Sequence, residues 1–218
     1  AAGMIGYDEL RARQAAQNVD GATKRLGIGV STYFEMCGLA QSRVLASLNY
    51  GAGGWEAATV RVLPTSKVQV VTGTSPHGQG HETAWSMIVA EKLGIDPADV
   101  DVLHSDTAIS PYGLDTYGSR SLPVGGVAIA GACDVVIDKA RQIAAHQLEA
   151  DPADLEYSGA TFSVKGSPGK EMPLAAIAFE AFTAHNLPDG LEPNLEGHYH
   201  YDPPNFSWPF GTHMCAVE

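Results

Sequence analysis

Between residues 26 and 37 the apolar positions recur with a period near two and β-branched residues are frequent, which predicts a strand. Ile28, Val30, Thr32 and Phe34 then share one face, and Gly27 and Gly29 thin the other. Residues 55–63 and 66–71 predict a hairpin across Pro64 and Thr65. A second hairpin is expected from 155–157 and 161–165 through Ser158 and Gly159. Further strands are expected at 100–103, at 197–201 and from Gly211 onward.

Elsewhere the period lengthens. Good helix formers over 8–18 predict a surface helix. Residues 82–93 predict another, with Ala84, Met87, Ile88 and 91–93 as its apolar stripe and Gly94 ending it. Asp96 and Pro97 stand as N-cap and first residue of a short helical turn. The longest helical pattern covers 122–148, with Val124, Val127, Val135, Ile137 and Ile143 among its apolar positions. Its first turns are rich in glycine and alanine, which suits close packing on a sheet or a close approach to a ligand. A last helix is expected over 173–185 with Pro173 as its first residue. Hairpins interleaved with helices predict an α+β fold, mixed sheets packed against helices, rather than a doubly wound parallel sheet.

Two connections stand out. The stretch 72–83, TGTSPHGQGHET, runs from a predicted strand into a predicted helix. Its glycines let a backbone approach a ligand, and the helix start presents free N–H groups and a partial positive charge. Such a cradle suits a polar, phosphorylated ligand, with Gln79 able to donate and accept at once; an ordinary strand–turn–helix connection fits equally well. The second is the aperiodic stretch 105–120, unusually long for a compact domain and carrying Pro111, Gly113 and Gly118. It closes in DTYGSRS (115–121), which gathers Thr116, Ser119, Arg120 and Ser121 before the long helix. That set suits a phosphate, or a capped helix start.

Composition narrows the partners. With 13 basic and 25 acidic residues the net charge is −12, against nucleic-acid or anionic-membrane binding through a basic face. Cys37, Cys133 and Cys215 are far apart and odd in number, as in a reduced intracellular protein. No apolar run approaches about 20 residues, so no transmembrane helix is expected, and the start lacks the features of a signal peptide. The last residues read as a strand still in progress, so the chain is expected to be a fragment truncated at both ends.

Common catalytic patterns are missing. There is no GxSxG, no GK[ST] ending to the glycine-rich stretch and no GxGxxG after the first strand. His77 and His81 stand four apart, which leaves a metal-dependent hydrolase as one reading, but glycines interrupt the pair and no HExxH completes it. A phosphate-binding module without redox chemistry is another.

GTSPHGQGHET, followed some forty residues later by TYGSRS and a small-residue-rich helix, resembles the molybdenum-binding large subunit of the xanthine oxidase family, nearest the aerobic carbon monoxide dehydrogenase group. The opening, GYDELRARQAA through RLGIGVSTYFEMCGL, is similar to the same group. The resemblance implies residues 1–218 are part of a two-subdomain molybdenum-cofactor-binding domain that holds molybdopterin cytosine dinucleotide. It implies cofactor contacts from Gln79 and Gly80, and from Tyr117, Gly118, Ser119, Arg120 and Ser121. It also implies FAD and [2Fe-2S] clusters on partner subunits, an FAD-binding medium and an iron–sulfur small subunit. The expected assembly is a dimer of heterotrimers, in the cytoplasm or at the inner face of the membrane. The family's GxGE glutamate, its CSFR-like loop and its GGGFG stretch have no match here. No catalytic residue and no metal ligand is therefore assigned to this chain, which alone is expected to be inactive.

Overall fold

The computed structural model describes residues 1–39, 41–110 and 112–218, so Pro111 of the long connection lies outside them. In chain order the elements are α1 (Ala2–Ile5), α2 (Tyr7–Gln17), β1 (Gly27–Phe34), α3 (Ser42–Ser47), β2 (Glu56–Val62), β3 (Val68–Thr72) and α4 (His81–Leu93). There follow β4 (Val100–Leu103), α5 (Val127–Leu148), β5 (Leu155–Ser158), β6 (Thr161–Val164), β7 (Glu171–Pro173), α6 (Leu174–Thr183), β8 (Leu195–Tyr201) and β9 (Phe210–Val217).

Two units divide the chain. The smaller comprises Ala1–Cys37 and Ser207–Glu218, and its β1 and β9 form an antiparallel ribbon running from Gly27 opposite Val217 to Phe34 opposite Phe210. Phe34 stacks on Trp208 with ring centroids 4.9 Å apart. Val30 and Phe34, on the face they share, are exposed in this unit.

The larger unit, Gly38–Phe206, holds a four-stranded sheet in the order β4-β3-β2-β8 and a three-stranded antiparallel sheet β5-β6-β7. The β2–β3 hairpin pairs Val60 with Val70, β8 adds antiparallel with Gly197 opposite Val60, and β4 adds parallel with Val102 opposite Val70. Alternate residues Val60, Val62, Val68 and Val70 are buried, as the pleat requires when one face packs on helices. Mixed pairing with helices packed on sheets bears out the α+β expectation.

Helix α5 lies on β8 and β2, its buried face built from Ala128, Ile129, Ala132, Cys133, Val136 and Ala140. Small residues permit this close approach: a Cβ at Gly131 would enter the ring of Tyr199, and one at Gly197 would meet the Ala132 carbonyl. Val127 and Val135, expected in the stripe, are more than a third exposed. In α4 the buried face is Trp85, Val89 and Leu93, four apart, while Met87 of the expected stripe points outward.

Three local expectations change. Residues 121–126 form a π-helical turn before α5, where Pro123 has no N–H to donate and two glycines follow. Pro173 ends β7 and caps α6 instead of entering it. Residues 121–148 together are long and apolar enough to cross a membrane, contrary to the reading of the bare sequence; here they form the core helix of the larger unit.

Candidate functional site

The chain leaves β3 at Thr72 and enters α4 at His81, and the intervening turn needs two left-handed residues, Gly78 (φ 91) and Gly80 (φ 79). A Cβ at either would meet nothing within 4 Å, so glycine is there for the backbone and the surface beside it is open. No side chain caps α4 at Gly80. The N–H of His77 donates to Gln79 Oε1, which leaves the NH2 end of that amide as a donor. His81 is buried and its Nδ1 lies 3.3 Å from the Thr74 carbonyl, with its ring 4.9 Å from that of Trp85.

The second segment folds over the first. Asp115 (φ 65), Gly118 (φ 55) and Ser119 (φ 52) take left-handed conformations, two of them without the freedom of glycine. The Ser75 N–H donates to Asp115 Oδ1 at 3.1 Å, and His77 Nε2 lies 3.2 Å from the Thr116 carbonyl. Ser121 Oγ donates to Thr116 Oγ1 at 3.0 Å. The Tyr117 phenol is pushed up to about 12, first by burial and then by its hydrogen bond with Tyr50.

Between the segments lies a cavity of ≈ 480 Å³, lined by Gln79, His81, Ala84, Trp85, Thr116, Ser119, Ser121 and Leu122. Its size is that of a small-molecule site, apolar at Ala84, Trp85 and Leu122 with convergent hydroxyls and an amide. Trp85 is 1 % exposed, yet its Nε1–H has no acceptor among the described residues. Trp85 thus contributes ring surface to the cavity and keeps one buried donor unanswered beside it.

The cavity gathers Gln79, Ser119 and Ser121 of the predicted contacts. Gly80, Tyr117, Gly118 and Arg120 do not line it. Arg120 is 0 % exposed, its guanidinium held by Glu56 and by backbone carbonyls of 54, 55 and 115. Nothing in the sequence marks Trp85, because its burial shows only once the face of α4 on the core is known, and His81, a candidate metal ligand by its spacing from His77, is turned to the Thr74 carbonyl. Among the described residues no group of three or more His, Cys, Asp and Glu is arranged to hold a metal ion.

A sheet-and-helix domain with two interlocked loops around a polar-rimmed cavity defines a small-molecule-binding domain. The chain belongs to the molybdopterin cofactor-binding domain family, which it matches over residues 1–218. It is 43% identical over 215 residues to the carbon monoxide dehydrogenase large chain of Hydrogenophaga pseudoflava, covering 98% of this chain and 26% of that one. Among solved structures, a Cu,Mo-CO dehydrogenase in its carbon monoxide reduced state superposes with a TM-score of 0.90 at 39% identity, over 99% of this chain and 27% of that one. Quinoline 2-oxidoreductase from Pseudomonas putida 86 gives 0.85 at 34% identity, again over 99% and 27%. The chain thus spans about a quarter of the length of these relatives.

The donors present fit a pterin-type cofactor. The NH2 end of Gln79 and the side chains of Ser119 and Ser121 line the cavity beside a buried Trp85 N–H that has no acceptor, and the open backbone at Gly78 and Gly80 adds room for a ligand rich in acceptors.

Proposed function

We propose that the chain is the cofactor-holding part of a molybdenum hydroxylase large subunit and that its cavity takes part of molybdopterin cytosine dinucleotide. When bound, that group supplies oxidation of a small carbon substrate, with oxygen from water. Gln79 would donate to an acceptor edge through its free NH2, and Ser119, with Ser121 once its hydroxyl turns from Thr116, would hold phosphate oxygens at the start of the π-helical turn. Trp85 would close the wall with its ring. Gly80 would bring backbone close to the ligand, while Tyr117, Gly118 and Arg120 would shape the loop rather than touch the cofactor.

The observation that carries this reading is the cavity between the two segments, where Gln79 of the first meets Thr116, Ser119 and Ser121 of the second. The substrate class is CO, an aldehyde or an N-heterocycle. FAD and [2Fe-2S] clusters would sit on medium and small partner subunits, in a dimer of heterotrimers in the cytoplasm or at the inner face of the membrane. A hydrolase using His77 and His81 gains no support, since both rings are turned to backbone carbonyls.

The test uses the full-length protein made with cofactor biosynthesis intact. Molybdenum near one per chain, with a cytosine-nucleotide pterin released by acid, is the expected result. Gln79→Ala and Ser119→Ala should each lower molybdenum content about tenfold, as removal of a ligand-orienting residue commonly does. Unchanged occupancy in both would overturn the site.

A further inference from the structure

We propose that Glu56 is a positioning residue of this cofactor site, its buried carboxylate fixing the 113–121 loop against the turn after β3 through Arg120 and the Leu114 N–H. The inference rests on the reading of the cavity given above.

Glu56 opens β2, outside both glycine-rich segments, and it is 0 % exposed. Its Oε2 accepts from Arg120 Nη1 at 2.7 Å and from the Leu114 N–H at 3.2 Å, while Oε1 accepts from the Ala57 N–H at 3.1 Å. Arg120 then ties three backbone carbonyls to the same point: Asp115 at 2.6 Å, Trp55 at 2.6 Å and Gly54 at 3.3 Å. The planar fork of a guanidinium holds these directions together in a way a lysine would not.

Two glycines show that the carboxylate is built into the crossing of the segments. A Cβ at Gly73, just past β3, would lie 2.7 Å from Glu56 Oε1 and 2.5 Å from Gly113 Cα. A Cβ at Gly113 would meet the same Oε1. The turn after β3 and the long loop therefore cross glycine on glycine, directly over Glu56.

The link to the cavity is short. Ser119 and Ser121, which line it, are the residues on either side of Arg120. Glu56 does not line the cavity and acts on those hydroxyls through the guanidinium it holds. A buried ion pair is a poor source of net stability, and an apolar pair of similar volume often serves the fold as well. What the apolar pair cannot do is anchor three carbonyls and an N–H in one register.

The experiment is run on the full-length large subunit, produced with and without cofactor biosynthesis, so that a Tm difference between loaded and unloaded protein reads cofactor binding. In Glu56→Gln, occupancy should fall about tenfold and that Tm difference should shrink. A purely structural role would lower both Tm values equally and leave their difference and the occupancy unchanged, which would overturn the proposal. Because Glu56→Gln leaves a buried guanidinium without its counter-charge, Glu56→Leu combined with Arg120→Met is made alongside. The apolar pair should recover the part of the unloaded Tm that the unpaired charge costs in Glu56→Gln, while occupancy stays about tenfold down. Occupancy within about twofold of wild type in either variant would overturn the role of Glu56 alone. A wild-type protein that never loads pterin or molybdenum overturns the cofactor reading and this proposal together.

Discussion

Gly197 in β8 lies against the carbonyl oxygen of Ala132 in α5, with no room between them for a methyl group. Val135 Cβ and Val136 Cγ2 close the same space at 3.0 Å, so no flexible side-chain end is available to yield. Gly197→Ala should destabilise the protein by about 3 kcal/mol, at the high end for overpacking, because a helix backbone must move. Urea unfolding checks this: the midpoint should fall with the slope unchanged.

The His198 ring sits beside His200, centroids 4.5 Å apart, with its Nδ1 2.8 Å from Thr59 Oγ1. Burial, and then the charge of His200, hold its pKa below the ordinary 6.5, against a smaller upward pull from Glu196. The unfolded chain therefore takes up a proton near pH 6.5 that the folded chain refuses until lower pH. Stability from this source is complete above pH 6.5 and is lost as pH falls through the window below it. Unfolding measured at descending pH should show a shallower loss in His198→Gln, and an NMR titration of His198 should have its midpoint below 6.5.

Cys133 is fully buried in α5, and burial pushes its thiol up to about 12. With so little thiolate it should resist a thiol-specific reagent at pH 8 in the native protein and react only on unfolding. Mass mapping of labelled peptides before and after denaturant tests this. Early labelling at Cys133 would contradict its place in the core.

Much of the architecture was legible locally. The 55–71 hairpin, the capped turn at Asp96 and the helix stop at Gly94 are each specified within a few residues, by alternation, a side-chain cap or a left-handed glycine. Strand β7 was not, because three residues carry no period. The face of α4 was legible in part: Leu93 is buried and Ala84 and Ile88 pack on the core, but Met87 and Trp85 are both apolar and only the packing around the helix decides which of those two is buried. The candidate cavity was half legible. Gln79, Ser119 and Ser121 lie in stretches whose glycines and hydroxyls mark them, whereas Glu56 stands 64 positions from Arg120 in an ordinary strand. Nothing near Glu56 in sequence betrays a partner that distant.

The pairing of β1 with β9 also bears on how the chain comes off the ribosome. Gly27 can find Val217 only after nearly every intervening residue has been made, and closing so long a loop carries a large entropic cost. Residues 1–37 are made before their β9 partner, so β1 waits for β9 while the Gly38–Phe206 unit collapses on itself. Within this stretch of a growing polypeptide the ribbon closes after the sheet, so a nascent-chain protease should cut Gly27–Phe34 long after the sheet beneath α5 has become resistant.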